Sequence, residues 1–313
     1  MKKKAKYILV LGGTGFLGSN IINFYQQELQ KNDIIFILAG ITKKIINYPN
    51  CINVQINYTN LVELRKLIES YPIDEIFHFI STSVPATSNL NFNYDVQSNL
   101  ISSLNLLELM REFNIKKIIY LSSGGTVYGE SNFNDYQEDR LIAPNNSYGI
   151  LKLTIEYYIK LYHKLYGINY LILRISNPFG IFHLSEVNGL INIAIRKSIN
   201  FEPIEIWGDG TSFKDYIFAT DFAHMFWQLI KIDCQNEIIN IGSGNAYSIN
   251  EIIGYIKMIL PQTSWIYKKE KIFDTHFNHF NIEKLKRKIT IRNTDILNAI
   301  EKTYQWELNK LIK

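Results

Sequence analysis

Tyr148 and Lys152 stand four residues apart in Tyr148-Gly149-Ile150-Leu151-Lys152. On a helix that spacing sets both side chains on one face. An ammonium held near a phenol favours the phenolate and lowers its pKa. A phenolate at working pH is a general base able to take the proton of a sugar hydroxyl. Near the start of the chain, Gly12-Gly13-Thr14-Gly15-Phe16-Leu17-Gly18 supplies a second piece. Gly13, Gly15 and Gly18 follow the Gly-x-Gly-x-x-Gly pattern, in which glycines let the backbone turn tightly and approach a pyrophosphate. The positive end of the following helix would hold that anion. Taken singly, the first stretch reads as a solvated helix face and the second as a tight strand–helix turn. Together they suggest hydride transfer from an alcohol to a dinucleotide.

The elements needed to position these residues can be read in order. Tyr7 to Leu11 is a short apolar run with β-branched residues, hence a buried strand, and a helix is expected from Phe16 to Leu29. A second strand spans Ile34 to Leu38. An NAD site commonly has a carboxylate after this strand to hold the ribose hydroxyls. Here the chain reads Ala39-Gly40-Ile41-Thr42-Lys43-Lys44, which leaves NADP open beside NAD. Further strands are expected at Ile52 to Ile56, Glu75 to Ile80, Lys117 to Leu121, Tyr170 to Ile175 and Ile238 to Ile241. Helices are expected at Leu61 to Ser70, Asp95 to Phe113 (containing Asn99) and Ser147 to Tyr166. Ligands lie beyond the carboxyl ends of strands in such sheets. That makes the polar break Ser81-Thr82-Ser83-Val84-Pro85 a candidate wall of the site. Ser123 and Thr126, at another strand end, offer hydroxyls to a substrate oxygen or to local backbone groups.

Regular alternation through the first half implies an α/β fold, a Rossmann-type doubly wound parallel sheet. Looser segments after Asn177 imply a smaller C-terminal substrate lobe. The expected division is residues 1–176, with 215–245 returning, for the dinucleotide domain, and 177–214 with 246–313 for the lobe. The last part, from Tyr247 on, reads as mainly helical. The helix at Ser147 to Tyr166 carries Tyr, Leu and Ile around too much of its surface for full exposure, as expected of a homodimer.

Composition narrows the class. The chain has 313 residues, 47% hydrophobic, enough for a large core. The net charge of +4 comes without a basic stripe, which argues against nucleic acid and tolerates a phosphate-bearing substrate. No apolar run is long enough to span a bilayer. Cys51 and Cys234 lie far apart without metal-ligand spacing, and both are expected to be buried thiols of a reducing cytoplasm. No metal site is expected.

Several stretches together resemble the extended short-chain dehydrogenase/reductases, in the nucleotide-sugar group around UDP-glucose 4-epimerase. Gly12-x-x-Gly15-x-x-Gly18 is similar to that family's cofactor fingerprint, and Tyr148-x-x-x-Lys152 to its catalytic pair. Leu173 to Gly180, Asn188-Gly189, Trp207 to Ile217 and Asn240 to Gly244 are similar to its strand-end and nucleotide-diphosphate segments. The resemblance covers nearly the whole chain. It implies NAD as cofactor, held by Gly12, Gly15, Phe16, Leu17, Gly18, Asn99, Tyr148, Lys152 and Pro178. It implies Asn177, Asn188 and Lys214 as contacts to a UDP- or GDP-linked sugar. It further implies that Tyr148 takes the proton of the sugar's C4 hydroxyl while the hydride leaves for nicotinamide.

Three departures stand out. Where the family has Ser or Thr four residues before the tyrosine matching Tyr128, this chain has Gly124, so Ser123 or Thr126 must supply any hydroxyl. Lys214 and Lys271 stand at or near positions where the family has arginines, which keeps charge but loses the bidentate fork. The acidic pair of the 4,6-dehydratase branch would fall on Gly125 and Thr126, and neither is acidic. The resemblance therefore leaves a 4-epimerase beside a net 4-dehydrogenase, such as the branch that oxidises GDP-heptose for capsule polysaccharide biosynthesis. A 4-ketoreductase, a 4,6-dehydratase and a non-catalytic NAD(P) sensor rank below these.

Overall fold

A computed structural model describes residues 5–29, 34–42, 45–129, 136–140, 142–269, 277–278 and 280–311. In chain order the first strands are β1 (Lys6–Leu11), β2 (Ile34–Gly40), β3 (Cys51–Gln55), β4 (Glu75–His78), β5 (Lys117–Ser123), β6 (Asn169–Ile175) and β7 (Asn177–Phe179). After them come β8 (Ile204–Trp207), β9 (Phe213–Phe218), β10 (Glu237–Ile241), β11 (Ala246–Ser248), β12 (Trp265–Lys268) and β13 (Phe277–Asn278). Seven of these form a parallel sheet in the order β3-β2-β1-β4-β5-β6-β10. From β1 the chain winds outward to β3, then crosses back to β4 and winds the other way. This is the Rossmann-type doubly wound order, and the switch point lies between β1 and β4.

A parallel sheet is covered on both faces, so its strands must be apolar throughout. Ile8 and Val10 of β1 point to one core, with Phe36, Phe77 and the residues Phe222, Phe226 and Trp227 of the helix Ala219–Lys231. Leu9 and Leu11 point to the other, with Leu64, Leu106, Met110, Ile155 and Ile159. A third apolar cluster belongs to the segments after β6. There Phe179, Ile195, Ile206, Phe218, Ile253 and Ile300 join the helices Leu190–Ile199, Ile249–Ile259 and Ile296–Leu311. In this smaller lobe β9 pairs with β7, β11 and β13, while β8 pairs with β12. The stretch after Tyr247 thus contains strands as well as the expected helices, because β11 and β12 complete sheets begun by β9 and β8. Phe280, Ile282, Leu285 and Ile289 return to the first core beneath the main sheet.

Two local expectations are corrected. Cys234 is buried, but Cys51 is only partly so, since it opens the edge strand β3. The helix expected to begin at Asp95 begins at Phe92 and passes through a π-helical segment, Val96–Ile101, before Ser102–Glu112.

One buried polar network ties the sheet to the helix Ser147–Tyr166. The carboxylate of Glu156 on that helix accepts from Arg174 of β6, with Nη2 to Oε2 at 2.7 Å and both side chains 1% exposed. Ser122 of β5 donates to the same carboxylate at 2.5 Å. Arg174 Nη1 donates to the Tyr128 hydroxyl at 3.0 Å, which donates in turn to Asn240 Oδ1 of β10 at 2.6 Å. Arg174→Ala would leave Glu156 buried without its counter-charge. It is expected to destabilise the fold by about 3–5 kcal/mol, read as a lowered midpoint in urea unfolding.

Candidate active site

The carboxyl ends of β1, β4, β5 and β6 open into one cleft of about 1460 Å³, which reaches from the glycine turn to the lobe. Single small-ligand pockets are roughly 300–1,000 Å³, so this cleft has room for more than one.

The glycine turn is built for close approach. Gly12 has φ +84°, and its amide donates to Ala39 O of β2 at 2.8 Å. A Cβ on Gly18 would meet the carbonyl oxygens of Gly12 at 2.4 Å and Gly13 at 2.6 Å. Only glycine lets the helix Phe16–Phe24 start this near the strand. Its N-cap, Gly15, has no side chain to cap the first turn, and no acidic residue stands there. The N–H groups of that turn, together with the positive end of the helix, therefore suit a pyrophosphate. Gly12, Gly15, Phe16, Leu17 and Gly18 all line the cleft. At the end of β2, Gly40 continues it with Ile41 and Thr42 beyond, and Thr42 Oγ1 lies 3.1 Å from Thr14 Oγ1. Lys43 and Lys44 lie outside the described residues, as does Lys271.

Tyr148 and Lys152 line the same cleft from the opposite wall. The start of their helix is fixed by several bonds. Asn146 caps it by accepting from Gly149 N at 2.9 Å, and Tyr148 N donates to Ser88 Oγ at 3.2 Å. Gly149 is needed because a Cβ there would stand 2.6 Å from Thr126 O. Lys152 is buried; its Nζ donates to Leu121 O at 2.9 Å and lies 5.6 Å from the centre of the Tyr148 ring. Burial draws the Lys152 pKa down to about 8 against the opposing charge of Glu156. The Tyr148 phenol is pushed up to about 12 by burial, and a hydrogen bond with Ser81 pulls the other way. This corrects the expectation from spacing. In the protein alone desolvation is the larger cause, and the lowering contribution comes from Ser81 on the loop after β4 and not from the ammonium.

Ser123 and Thr126 both line the cleft. Thr126 is buried and its hydroxyl has no hydrogen-bond partner among the described residues. Asn177, Pro178, Asn188 and Lys214 face the cleft from the lobe side. Asn177 Nδ2 donates to Asp215 O at 2.9 Å, and the amide of the exposed Asn188 donates to Ser185 Oγ at 3.2 Å. Asn99 is the exception. It does not line the main cleft; its Oδ1 accepts from Thr82 N at 2.9 Å and its Nδ2 donates to Ser83 Oγ at 3.3 Å, so it shapes the loop after β4. Two groups were not anticipated. Asn57, Tyr58 and Thr59 line the cleft beyond β3, a place the strand-end rule could have flagged. Phe280 lies under the turn after β5, so close that a Cβ on Gly124 would be 1.8 Å from its Cζ. Nothing local in sequence links those two positions.

The NAD dependent epimerase/dehydratase family matches residues 8–242. The chain belongs to that family. A putative UDP-glucose 4-epimerase of Methanocaldococcus jannaschii is 32% identical over 308 residues, covering 96% of this chain and 98% of the relative. A UDP-glucuronate 4-epimerase of Thermodesulfobacterium geofontis is 28% identical, covering 96% and 91%. Among solved structures, UDP-glucose 4-epimerase of Thermotoga maritima with UDP-glucose superposes with a TM-score of 0.89 at 24% identity, covering 97% of this chain and 99% of that one. An NAD dependent epimerase/dehydratase needs a dinucleotide site, and the cofactor of this enzyme is NAD. The uncapped, glycine-lined helix start after β1 fits it. Among the described residues no helix is long and apolar enough to cross a membrane. Gly18→Ala is expected to destabilise the fold by roughly 1–3 kcal/mol, the usual range for overpacking, because its Cβ would meet the Gly12 and Gly13 carbonyl oxygens; the midpoint of urea unfolding measures it.

Proposed function

We propose that this enzyme oxidises C4 of a nucleotide-diphospho-sugar to a 4-keto sugar, as a 4-epimerase or a net 4-dehydrogenase. The observation that carries the reading is the placement of Tyr148 and Lys152 across one cleft from the glycine turn, with Asn177 and Lys214 on its far side. NAD, when bound, supplies a positively charged nicotinamide that accepts the hydride from the sugar carbon. Tyr148 takes the C4 hydroxyl proton as general base. Lys152, fixed by Leu121 O, keeps a cation behind the phenol. Ser123 and Thr126 offer hydroxyls to the sugar from the end of β5. Glycine at 125 and threonine at 126 provide no acid for loss of water, which sets the 4,6-dehydratase reading below the epimerase one.

The lobe-side residues suit the diphosphate. A pyrophosphate brings negative charge, which Lys214 answers as a point charge while Asn177 and Asn188 offer amide donors. UDP-linked sugars are the substrates in the names of several relatives, and a GDP-heptose remains the alternative for the net dehydrogenase. We read the division of labour as two lobes: the dinucleotide on the sheet side and the sugar nucleotide on the lobe side. The exposed apolar residues Tyr157 (56% exposed), Leu161 (43%) and Leu165 (57%) on the helix Ser147–Tyr166 form the surface that we assign to a second copy of the chain. Mass spectrometry of ligand retained on the purified enzyme, then incubation with UDP- and GDP-sugars, tests the reading. Epimerised product with NAD unchanged marks the epimerase, and accumulated NADH with a keto sugar marks the dehydrogenase. Neither product from any sugar would refute it.

Tyr148→Phe should retain fold and NAD while losing at least ~10²-fold in rate, the lower range for acid–base catalysis, read by the rate of 4-keto sugar formation. Lys214→Ala is expected to weaken nucleotide binding by about 1.5–3 kcal/mol, as for a hydrogen bond to a charged group. Calorimetry with UDP and GDP on parent and variant measures it.

A further inference from the structure

The end of β2 carries no carboxylate, and the structure shows what stands there instead. In an NAD site a carboxylate at this strand end takes the 2′-hydroxyl of the adenosine ribose, and its charge opposes a 2′-phosphate. Here Gly40 ends β2 and has no side chain. Among the described residues beyond its chain neighbours, a Cβ added there would meet only Thr14 Oγ1, at 3.7 Å, an ordinary contact. The space that a carboxylate would fill is open, and it borders a hydroxyl. The carboxylates that line the cleft among the described residues are Glu186, in the segment after β7, and Glu205 of β8. Both belong to the lobe, so the corner at β2 is neutral.

Two hydroxyls furnish this corner. Thr14 of the glycine turn is buried, and Thr42, two residues beyond β2, is exposed. Their Oγ1 atoms lie 3.1 Å apart, and both line the cleft with Gly40 and Ile41. The backbone around them is already satisfied. Ala39 O accepts from Gly12 N at 2.8 Å, Gly40 O from Ile56 N at 3.0 Å, and Ile41 O from Gln55 Nε2 at 3.2 Å. Thr14 is fixed in turn by Ser19, whose Oγ donates to Thr14 O at 3.2 Å. The hydroxyl pair is thus the polar group that this corner turns to a ligand. Each hydroxyl has one proton and two lone pairs. With one proton used between them, the pair keeps a donor as well as acceptors. A ribose hydroxyl can use both, and a phosphate can use the donor, whereas a carboxylate would offer acceptors alone.

In doubly wound sheets the pyrophosphate lies on the first helix start and the adjoining ribose reaches the end of the second strand. We propose that Thr42 bonds the 2′-hydroxyl of the adenosine ribose in place of a carboxylate, that the buried Thr14 orients it, and that the open, neutral space at Gly40 also admits a 2′-phosphate, so that the enzyme binds NADP beside NAD. Selection between the two cofactors in other sites comes from a charge that favours one and opposes the other. This corner holds hydroxyls that serve both. The proposal rests on the NAD site of the family and not on the C4 chemistry proposed above.

The test is competition on the full-length enzyme loaded with carbon-14 NAD. Unlabelled NAD, NADP, or NAD lacking the 2′-hydroxyl of its adenosine ribose is titrated in, and the released label is counted. In the parent, NADP should compete within about tenfold of NAD. The 2′-deoxy form should compete about three- to tenfold less well than NAD, the loss of one ordinary hydrogen bond. Thr42→Val replaces the hydroxyl by a methyl, and there NAD and its 2′-deoxy form should compete alike; Thr42→Ser should restore the difference. Gly40→Asp should weaken NADP relative to NAD by at least about tenfold, because a carboxylate set beside a phosphate repels it. NADP more than about tenfold weaker than NAD in the parent, a 2′-deoxy penalty that persists in Thr42→Val, or an NADP preference unmoved in Gly40→Asp overturns the proposal. No sugar enters these measurements, so their outcome is separate from that of the C4 reading.

Discussion

The buried pair of Glu156 and Arg174 is the constraint on which the site depends. A charge taken out of water must be matched, and leaving one partner alone costs several kcal/mol. Every element that feeds this pair is thereby held in place: β5 through Ser122, β6 through Arg174, the following turn through Tyr128, and β10 through Asn240. Glu156 lies one helical turn beyond Lys152 and two beyond Tyr148. Pinning it therefore sets the rotation of the whole helix, and with it the direction in which the phenol and the ammonium point. Tyr148 and Lys152 sit in the cleft because a charge eight residues beyond the tyrosine cannot be anywhere else.

The opposite wall rests on close packing. At the glycine turn the carbonyls of Gly12 and Gly13 occupy the space where a side chain of residue 18 would be. The helix start stays bare, and its N–H groups face the cleft. One wall thus holds a titratable pair by buried charge, and the other presents fixed donors by the absence of side chains. Between them lies the switch point of a sheet whose strands reverse their winding order there.

Much of this was legible in the sequence. Apolar strand runs and helical periodicity located the sheet, and the glycine turn and the tyrosine–lysine spacing marked both walls of the cleft. These signals are local, so a chain read in windows reveals them. What the sequence hid was three-dimensional. The ring of Phe280 lies against Gly124 across more than 150 residues, and no window spans them. The direction of the Tyr148 pKa depends on burial, which spacing cannot report; the ammonium was visible and the desolvation was not. Asn99 entered as a cofactor contact through the resemblance alone; the bonds of its amide to Thr82 N and Ser83 Oγ on the loop after β4 are not legible in sequence. Cys51 reads as an ordinary small apolar residue, and only the strand order shows that β3 is an edge.

The packing of Phe280 against Gly124 also has a consequence for how this site could have changed over time. A serine at 124 cannot enter while the ring is present, and shrinking the ring first opens a cavity in a packed core, at a cost of about 3–5 kcal/mol for a buried phenylalanine reduced to alanine. Either first step is deleterious, and only the pair of changes together is tolerable. Residues 124 and 280 thus behave as a ratchet. With the aromatic beneath the turn, a hydroxyl at position 124 is closed to single substitutions, and the hydroxyls this strand end can present are those of Ser122, Ser123 and Thr126.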